Sequence, residues 1–338
     1  MINLFLDSGY LDIDSIVKAG YPFTIIVGAR GVGKTYGVLS WSVDHRIKII
    51  LMRRTQSIID LLKTEEFSPY KSINEDQGRE IRLKSINKYS SGIYDDQNGG
   101  ELLGYTAALS TFTNIRGFDA SDVDILYYDE FIPEKHDRPI KGEAEAFLNA
   151  YETVNRNREL KGMKPVQAIL TANANRADNP IFVYLGLVSI MERMKRQHKT
   201  IYRDDKRGIL LINVEASPIS ERKNQTALYR LTSGSDFQKM ATENEFAFDD
   251  FGQISARDLR EYNPLVTIGE LTIYRHKSRK EYYCCQHESG SPDHYGASER
   301  EIEAFQGRFW RLYNYYLEGF VWFSAYIDKV LFLKYIKG

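Results

Sequence analysis

Cysteine is almost missing from this chain. There are two in 338 residues, and they are neighbours, Cys284 and Cys285. Adjacent cysteines rarely pair with each other, and no spacing offers a zinc site. Neither a disulfide framework nor a structural metal is expected, and a reducing, cytosolic setting is. No apolar run is long enough to cross a bilayer, so no membrane partner is expected. Residues 1–16 carry acids where a secretory leader carries bases, so export is not expected. Charge of one sign is lacking too: 45 basic and 46 acidic side chains give a formal net charge of −1. That speaks against a simple nucleic-acid coat and leaves room for a local basic channel. Nine prolines, no low-complexity tract and no repeat exclude a disordered or solenoid chain. What remains is a globular balance, 43% hydrophobic and 27% charged, over a length that allows two domains.

What the sequence does have is FTIIVGARGVGKT, Phe23 to Thr35. Phe23 to Val27 is an apolar, β-branched run that reads as a buried strand. Gly28, Ala29, Arg30, Gly31, Val32, Gly33, Lys34 and Thr35 fit G-x-x-x-x-G-K-[ST], and a helix can start at Tyr36. The glycines let backbone N–H groups turn toward phosphates, and the following helix adds its unpaired N–H groups and positive dipole end. Lys34 is expected to reach the β- and γ-phosphates, and the Thr35 hydroxyl to hold Mg²⁺. Residue frequencies give the bare pattern by chance in on the order of one chain in a hundred of this length. The preceding strand makes the match more specific still.

The second chemical stretch is Val123 to Glu130, VDILYYDE. An apolar strand ending in two acids, downstream of a phosphate loop, has the Walker B pattern. Asp129 is expected to hold the water shell of Mg²⁺. Glu130, one residue on, is expected to point the other way and orient the attacking water. Between loop and acids lie a buried strand, Ile47 to Met52, ending at Arg53-Arg54, and a core strand, Tyr105 to Leu109. Arg79 to Tyr94 has the look of a hairpin. Ala144 to Arg158 reads as a helix that ends in Asn155-Arg156-Asn157-Arg158. A further strand, Val166 to Leu170, leads to Asn173, placed to sense a γ-phosphate. A GTPase is excluded by the missing base reader: the nearest match to N-K-x-D, Asn87-Lys88-Tyr89-Ser90, lacks the acid. Glu130 is unusual for a small-molecule kinase.

Arg193 to Arg207 is a basic stretch, either a solvated surface or functional, followed by a strand from Gly208 to Val214. The expected division is an ATPase domain over 1–215, a helical lid or linker over 216–245 and a second domain over 246–338. In the last, Val266 to Tyr274 and Glu281 to Gln286 resemble a hairpin whose turn carries Arg275, His276, Lys277, Arg279 and Lys280. The segments 299–316 and 320–335 look helical, their aromatics more suited to a core than to base stacking.

G-A-R-G-V-G-K-T, the strand ending in Arg53-Arg54, Asp129-Glu130-Phe131 and the stretch Thr153 to Glu159, TVNRNRE, together resemble the DNA-packaging ATPases of small tailed phages of the φ29 type. Order and spacing agree over about residues 20–180. Beyond 220 only length and layout do. The resemblance implies a P-loop NTPase of the additional-strand catalytic-glutamate (RecA/terminase-like) type, followed by a small α+β, RNase H-like domain without cleavage activity. It implies ATP and Mg²⁺ as ligands, and a homomeric ring, usually of five subunits, that drives double-stranded DNA into a prohead. The ring sits transiently at the portal vertex in the host cytoplasm, in some members through a structural RNA. Glu130 would be the catalytic glutamate. Arg156 matches the arginine finger supplied to a neighbouring subunit, with Arg158 its rival; a helix C-terminus capped by cations is the plain alternative for both. Arg116 matches another basic trans-acting position. A helicase, a partition ATPase, or an assembly protein that only binds nucleotide are the competing functions.

Overall fold

A strand that is apolar at every position must be covered on both faces, and the apolar runs of the first two-thirds of the chain lie side by side in one sheet. The structure, a computed structural model, describes residues 2–115, 117, 119–134, 137–138, 140–173, 179–214, 217–219, 225–232, 253–287 and 290–337. The chain divides into two compact units: Met1–Ile181 with Met194–Ala247, and Phe182–Arg193 with Phe248–Gly338.

The first unit holds β1 (Phe23–Gly28), β2 (Ile49–Arg53), β3 (Ile81–Ser85), β4 (Ser90–Asp95), β5 (Glu101–Ala108), β6 (Ile125–Asp129), β7 (Gln167–Ala172), β8 (Ile201–Asp204) and β9 (Ile209–Val214). They form one sheet in the order β3-β4-β5-β2-β6-β7-β1-β9-β8. The run from β5 to β9 is parallel throughout. β3 and β4 on one side and β8 on the other are antiparallel additions at the edges. β7 therefore lies between the glycine-loop strand β1 and the acidic strand β6.

Period-2 alternation sorts the side chains. Ile26, Leu51, Tyr127, Ile169 and Ile212 join a core with helices α1 (Ile13–Val17), α2 (Lys34–Asp44), α3 (Gln56–Leu62) and α4 (Lys71–Gln77). On the opposite face Tyr128 stacks on Phe147 of α5 (Glu143–Asn155), ring centroids 5.6 Å apart. The same alternation splits the end of β2. Arg53 follows Ile49 and Leu51 to the α2 face, and Arg54 turns to the α5 face.

Several elements differ from their sequence-based bounds. The hairpin does not stand apart but extends the main sheet, because β4 pairs with β5. The Tyr105 strand starts at Glu101 and stops at Ala108, where a 3₁₀ segment begins. The basic stretch includes an edge strand, β8, since Tyr202 and Arg203 pair with Leu211 and Leu210 of β9.

The second unit carries β10 (Tyr262–Ile268), β11 (Leu271–His276), β12 (Tyr282–Cys285), β13 (His294–Tyr295) and β14 (Val321–Phe323), in the order β13-β10-β11-β12-β14. The expected Val266 to Tyr274 strand is in fact two, folded back at Gly269-Glu270. The cationic turn follows β11. The segment 320–335 opens as β14 before its helix, Tyr326–Lys337. Its aromatics pack inward: Phe323 and Phe332 meet at 5.5 Å between centroids, over Ile273 and Phe305.

Candidate functional site

The parallel sheet delivers its loops to one edge, at the carboxyl ends of the strands, where open α/β sheets bind ligands. After β1 the chain curls back with φ of 72° at Gly31 and 86° at Gly33, and α2 begins at Lys34. Residues with a Cβ avoid such angles, which is the physical reason for glycine at Gly33. Lys34 is buried and its Nζ lies 2.8 Å from the carbonyl oxygens of Gly28 and Ala29 and 3.1 Å from Asn173 Oδ1. Asn173, just past β7, thus meets the loop directly.

The acidic strand end meets it as well. The Thr35 hydroxyl donates to Asp129 Oδ2 at 3.0 Å, across 94 residues of sequence. Every oxygen of this buried carboxylate is engaged. Oδ1 accepts from Thr171 Oγ1 at 2.5 Å and from the Glu130 N–H at 3.1 Å. Oδ2 also lies 2.6 Å from Arg53 Nη2. Tyr127, whose hydroxyl pairs with Thr171 at 2.9 Å, is fully buried; burial and the Asp129 charge push its pKa well above the usual value, so it remains a neutral hydrogen-bonding group.

Glu130 does not point away from Asp129 as alternation along a strand would require. β6 ends at Asp129, and Glu130 adopts φ 55°, a left-handed conformation that costs a non-glycine residue about 1–3 kcal/mol. The turn swings its carboxylate onto Arg53, which bridges both acids. Burial alone would lower the Arg53 pKa; the charges of Asp129 and Glu130 override it and raise the pKa. The sequence carried a signal for this residue, two arginines closing a buried strand, but not its partners.

Arg54 is buried. Its Nε and Nη2 lie 2.8 and 2.9 Å from the two oxygens of Glu143, the first residue of α5, and the Tyr128 hydroxyl adds a bond of 2.9 Å. Both side chains of the pair are buried. At the far end of α5, Arg156 takes φ 49° and ψ −133°, with its guanidinium 3.8 Å from Asp119 and half exposed. Arg158 is turned inward, donating to the carbonyls of Ser121 and Val123 at 2.7 Å each. Arg116 lies outside the described residues.

Arg30, Gly31, Gly33, Lys34, Thr35, Tyr36, Asp129, Glu130, Glu134, Ala172 and Asn173 line a recess of about 390 Å³. Arg30 reaches Glu134 at 2.6 Å, an acid not foreseen in the sequence. Gly28 and Ala29 face the site through their carbonyls, and Val32 is buried beneath the loop. The Thr35 hydroxyl and Asp129 carboxylate are hard oxygen donors within one hydrogen bond of each other, which suits Mg²⁺. Loop, lysine and helix N-terminus suit a polyphosphate.

In the second unit two of the turn cations are paired with acids nearby. Arg279 faces Glu261 and Lys280 faces Glu318, while the buried His276 ring accepts the N–H groups of Ser278 and Arg279. Among the described residues no group of three or more His, Cys, Asp or Glu is placed to hold a metal ion.

Fold and site define an α/β protein with a glycine-rich loop that faces an acidic strand end across the edge of a large, mostly parallel sheet. The chain belongs to the family of podovirus DNA encapsidation proteins (Gp16), whose family model matches residues 7–268. It is 28% identical over 230 residues to the DNA packaging protein of Bacillus phage phi29, a match covering 66% of this chain and 62% of that protein's length. A structure of the bacteriophage Phi-29 viral genome packaging motor assembly shares the fold with a TM-score of 0.70 at 20% identity, over 97% of this chain and 98% of that one. The Phi-28 gp11 DNA packaging motor gives 0.64 at 19% identity, again over 97% and 98%.

Proposed function

We propose that the chain is an ATP-driven motor that moves double-stranded DNA into a preformed prohead, acting as a homomeric ring with five the expected number of subunits. The observation that carries this reading is the Thr35–Asp129 hydrogen bond. It joins the two ends of a hydrolytic site in a chain of the encapsidation family. β7 between β1 and β6, with Glu130 directly after Asp129, supports the additional-strand catalytic-glutamate class.

In this reading Lys34 and the α2 N-terminus hold the phosphates, and Thr35 and Asp129 hold the metal. Mg²⁺, when bound, draws charge from the phosphate oxygens. Glu130 orients and deprotonates the attacking water once it leaves Arg53. Asn173, already against Lys34, reads the γ-phosphate. Arg156 serves the neighbouring subunit's site, where an arginine stabilises charge on the transferring phosphoryl group. Its strained backbone and half-exposed guanidinium support it over Arg158, whose guanidinium faces carbonyls of its own chain. Arg116 remains a candidate on the resemblance. DNA contact is assigned to the basic surfaces from Arg54 to Lys63 and from Lys71 to Lys88, within which Arg54 itself is buried.

The domain reading is an ATPase over 1–215, a lid or linker over 216–245 and a docking domain over 246–338 of RNase H-like descent. The antiparallel β10–β12 meander with its helices supports that descent at the level of an α+β class. Neither β10 nor β11 carries an acid, which supports the absence of nuclease activity. Docking would be at the portal vertex of a prohead in the host cytoplasm, directly or through a structural RNA.

The test is nuclease protection. With proheads and ATP, duplex DNA becomes protected, and Glu130→Gln abolishes protection. Strand separation on a forked duplex without such protection would turn the reading toward a helicase. Nucleotide binding by the wild type with neither ATP turnover nor DNA protection would turn it toward a protein that only binds nucleotide.

A further inference from the structure

On the nucleotide reading above, the triphosphate has a direction. β1 lies between β7 and β9, and Asn173, Asp129 and Glu130 all stand on the β7 flank of the loop. The reacting end of a bound triphosphate faces these residues. Its nucleoside end therefore leaves toward the opposite flank, beside β9.

That flank is occupied by the segment before β1. Phe5 and Leu11 form a bridge, Leu6 N–H donates to Tyr10 at 2.9 Å, and Gly9 N–H donates to Leu6 at 2.8 Å. The turn is fastened to the glycine loop by Leu11 N–H to the Val32 carbonyl, 3.2 Å. It is fastened to the β9 side by Gly9, whose φ is 87° and where a Cβ would stand only 2.9 Å from Pro218. Tyr10, at the crest, lies on Gly33: a Cβ there would come within 3.0 Å of Tyr10 Cδ1. Yet the tyrosine is 45% exposed, and Leu6 beside it 49%. A tyrosine that serves only the core of this unit, such as Tyr70, is buried.

We propose that Tyr10 is the platform on which the base of the nucleoside triphosphate stacks. The turn that carries it is already anchored to the phosphate loop through Leu11, so little ordering is left to the moment of binding. An aromatic face recognises the face of a base rather than its edge. The larger purine ring is favoured over a pyrimidine, and this contact treats adenine and guanine alike.

The experiment is titration of the full chain, with Mg²⁺, by the β,γ-imido analogues of ATP and CTP and by inorganic tripolyphosphate. Wild type is compared with Tyr10→Ala and Tyr10→Phe. Tyr10→Ala is expected to weaken the ATP analogue by about tenfold or more, to narrow its advantage over the CTP analogue, and to change tripolyphosphate by less than about twofold. Tyr10→Phe is expected to match wild type. Unchanged affinity of Tyr10→Ala for the ATP analogue, with tripolyphosphate still bound, would overturn the platform alone. A parallel loss for tripolyphosphate would do the same, since Tyr10 would then merely support the loop. Failure of wild type to bind either the ATP analogue or tripolyphosphate would overturn the nucleotide site and the platform with it.

Discussion

Arg53 holds Glu130 onto Asp129: one guanidinium contacts both carboxylates, and Glu130 reaches it only by leaving the strand at φ 55°. The two halves of this bridge differ in weight. The Glu130 side chain is 60% exposed, so its ion pair adds little, whereas Asp129 is buried and depends on a cation. Arg53→Gln is expected to cost about 3–5 kcal/mol in the nucleotide-free protein. Mg²⁺ with a non-hydrolysable ATP analogue should restore more stability to the variant than it adds to wild type, because the metal takes over the charge. Urea midpoints with and without the ligand measure both. Equal gains in the two proteins would show that Arg53 and the metal do not share Asp129.

The Arg54–Glu143 pair makes a separate structural claim. Glu143→Ala leaves a buried guanidinium without its carboxylate and is expected to destabilise by about 3–5 kcal/mol. Arg54→Met combined with Glu143→Leu removes both charges and should recover most of that loss. Denaturant unfolding of single and double variants checks it; additive losses would mean the two side chains are not coupled.

On the proposed reading Asn173 acts on the γ-phosphate, and its contact is expected to matter more in the transition state than in ground-state binding. Asn173→Ala should lower kcat by about a hundredfold while changing nucleotide affinity by less than about threefold. Steady-state kinetics beside a binding titration separates the two effects, and a matched loss of affinity would make it an ordinary binding residue.

Asp328 gives a pH dependence. Burial, with a smaller contribution from Glu192, pushes its pKa up to about 6 despite bonds from Gln286 and the Ala325 N–H. The folded-state value lies above the ordinary 3.8, so the unfolded chain loses this proton first and folding stability falls as pH rises from about 4 to 6. The shift corresponds to about 3 kcal/mol at most. Asp328→Asn should therefore be more stable than wild type at pH 7 and equal to it near pH 4, read as the difference in thermal midpoints of the second unit. A variant less stable at pH 7 would mean that the ionised carboxylate is favoured in the fold.

The site was legible where chemistry needs a fixed spacing. Gly28 to Thr35 and Asp129-Glu130 announce themselves because loop and strand end are contiguous in sequence. Their apolar strands could be read for the same reason, being covered on both faces and uninterrupted. What escaped depends on where the chain turns. Glu130 was expected on the far side of the strand because nothing local marks Asp129 as the last strand residue. Glu143 and Arg54 are charged groups that periodicity assigns to solvent, and only their mutual neutralisation permits burial. β8 was hidden in a basic stretch because an edge strand needs apolar residues on one face alone. Tyr10 precedes every recognisable motif, and its relation to Gly33 exists only once β1, β9 and residues 4–13 are assembled.

The measurement that bears most directly on a shared, ring-type site is ATP hydrolysis against protein concentration, with and without duplex DNA. It compares wild type, Arg156→Ala, Glu130→Gln and an equal mixture of the two variants. Turnover per subunit should rise with concentration and with DNA. Each variant alone should be inactive and the mixture should regain activity, since an intact Arg156 from one subunit can serve an intact Glu130 in the next. Turnover independent of concentration, with Arg156→Ala as active as wild type, would contradict the site shared between subunits.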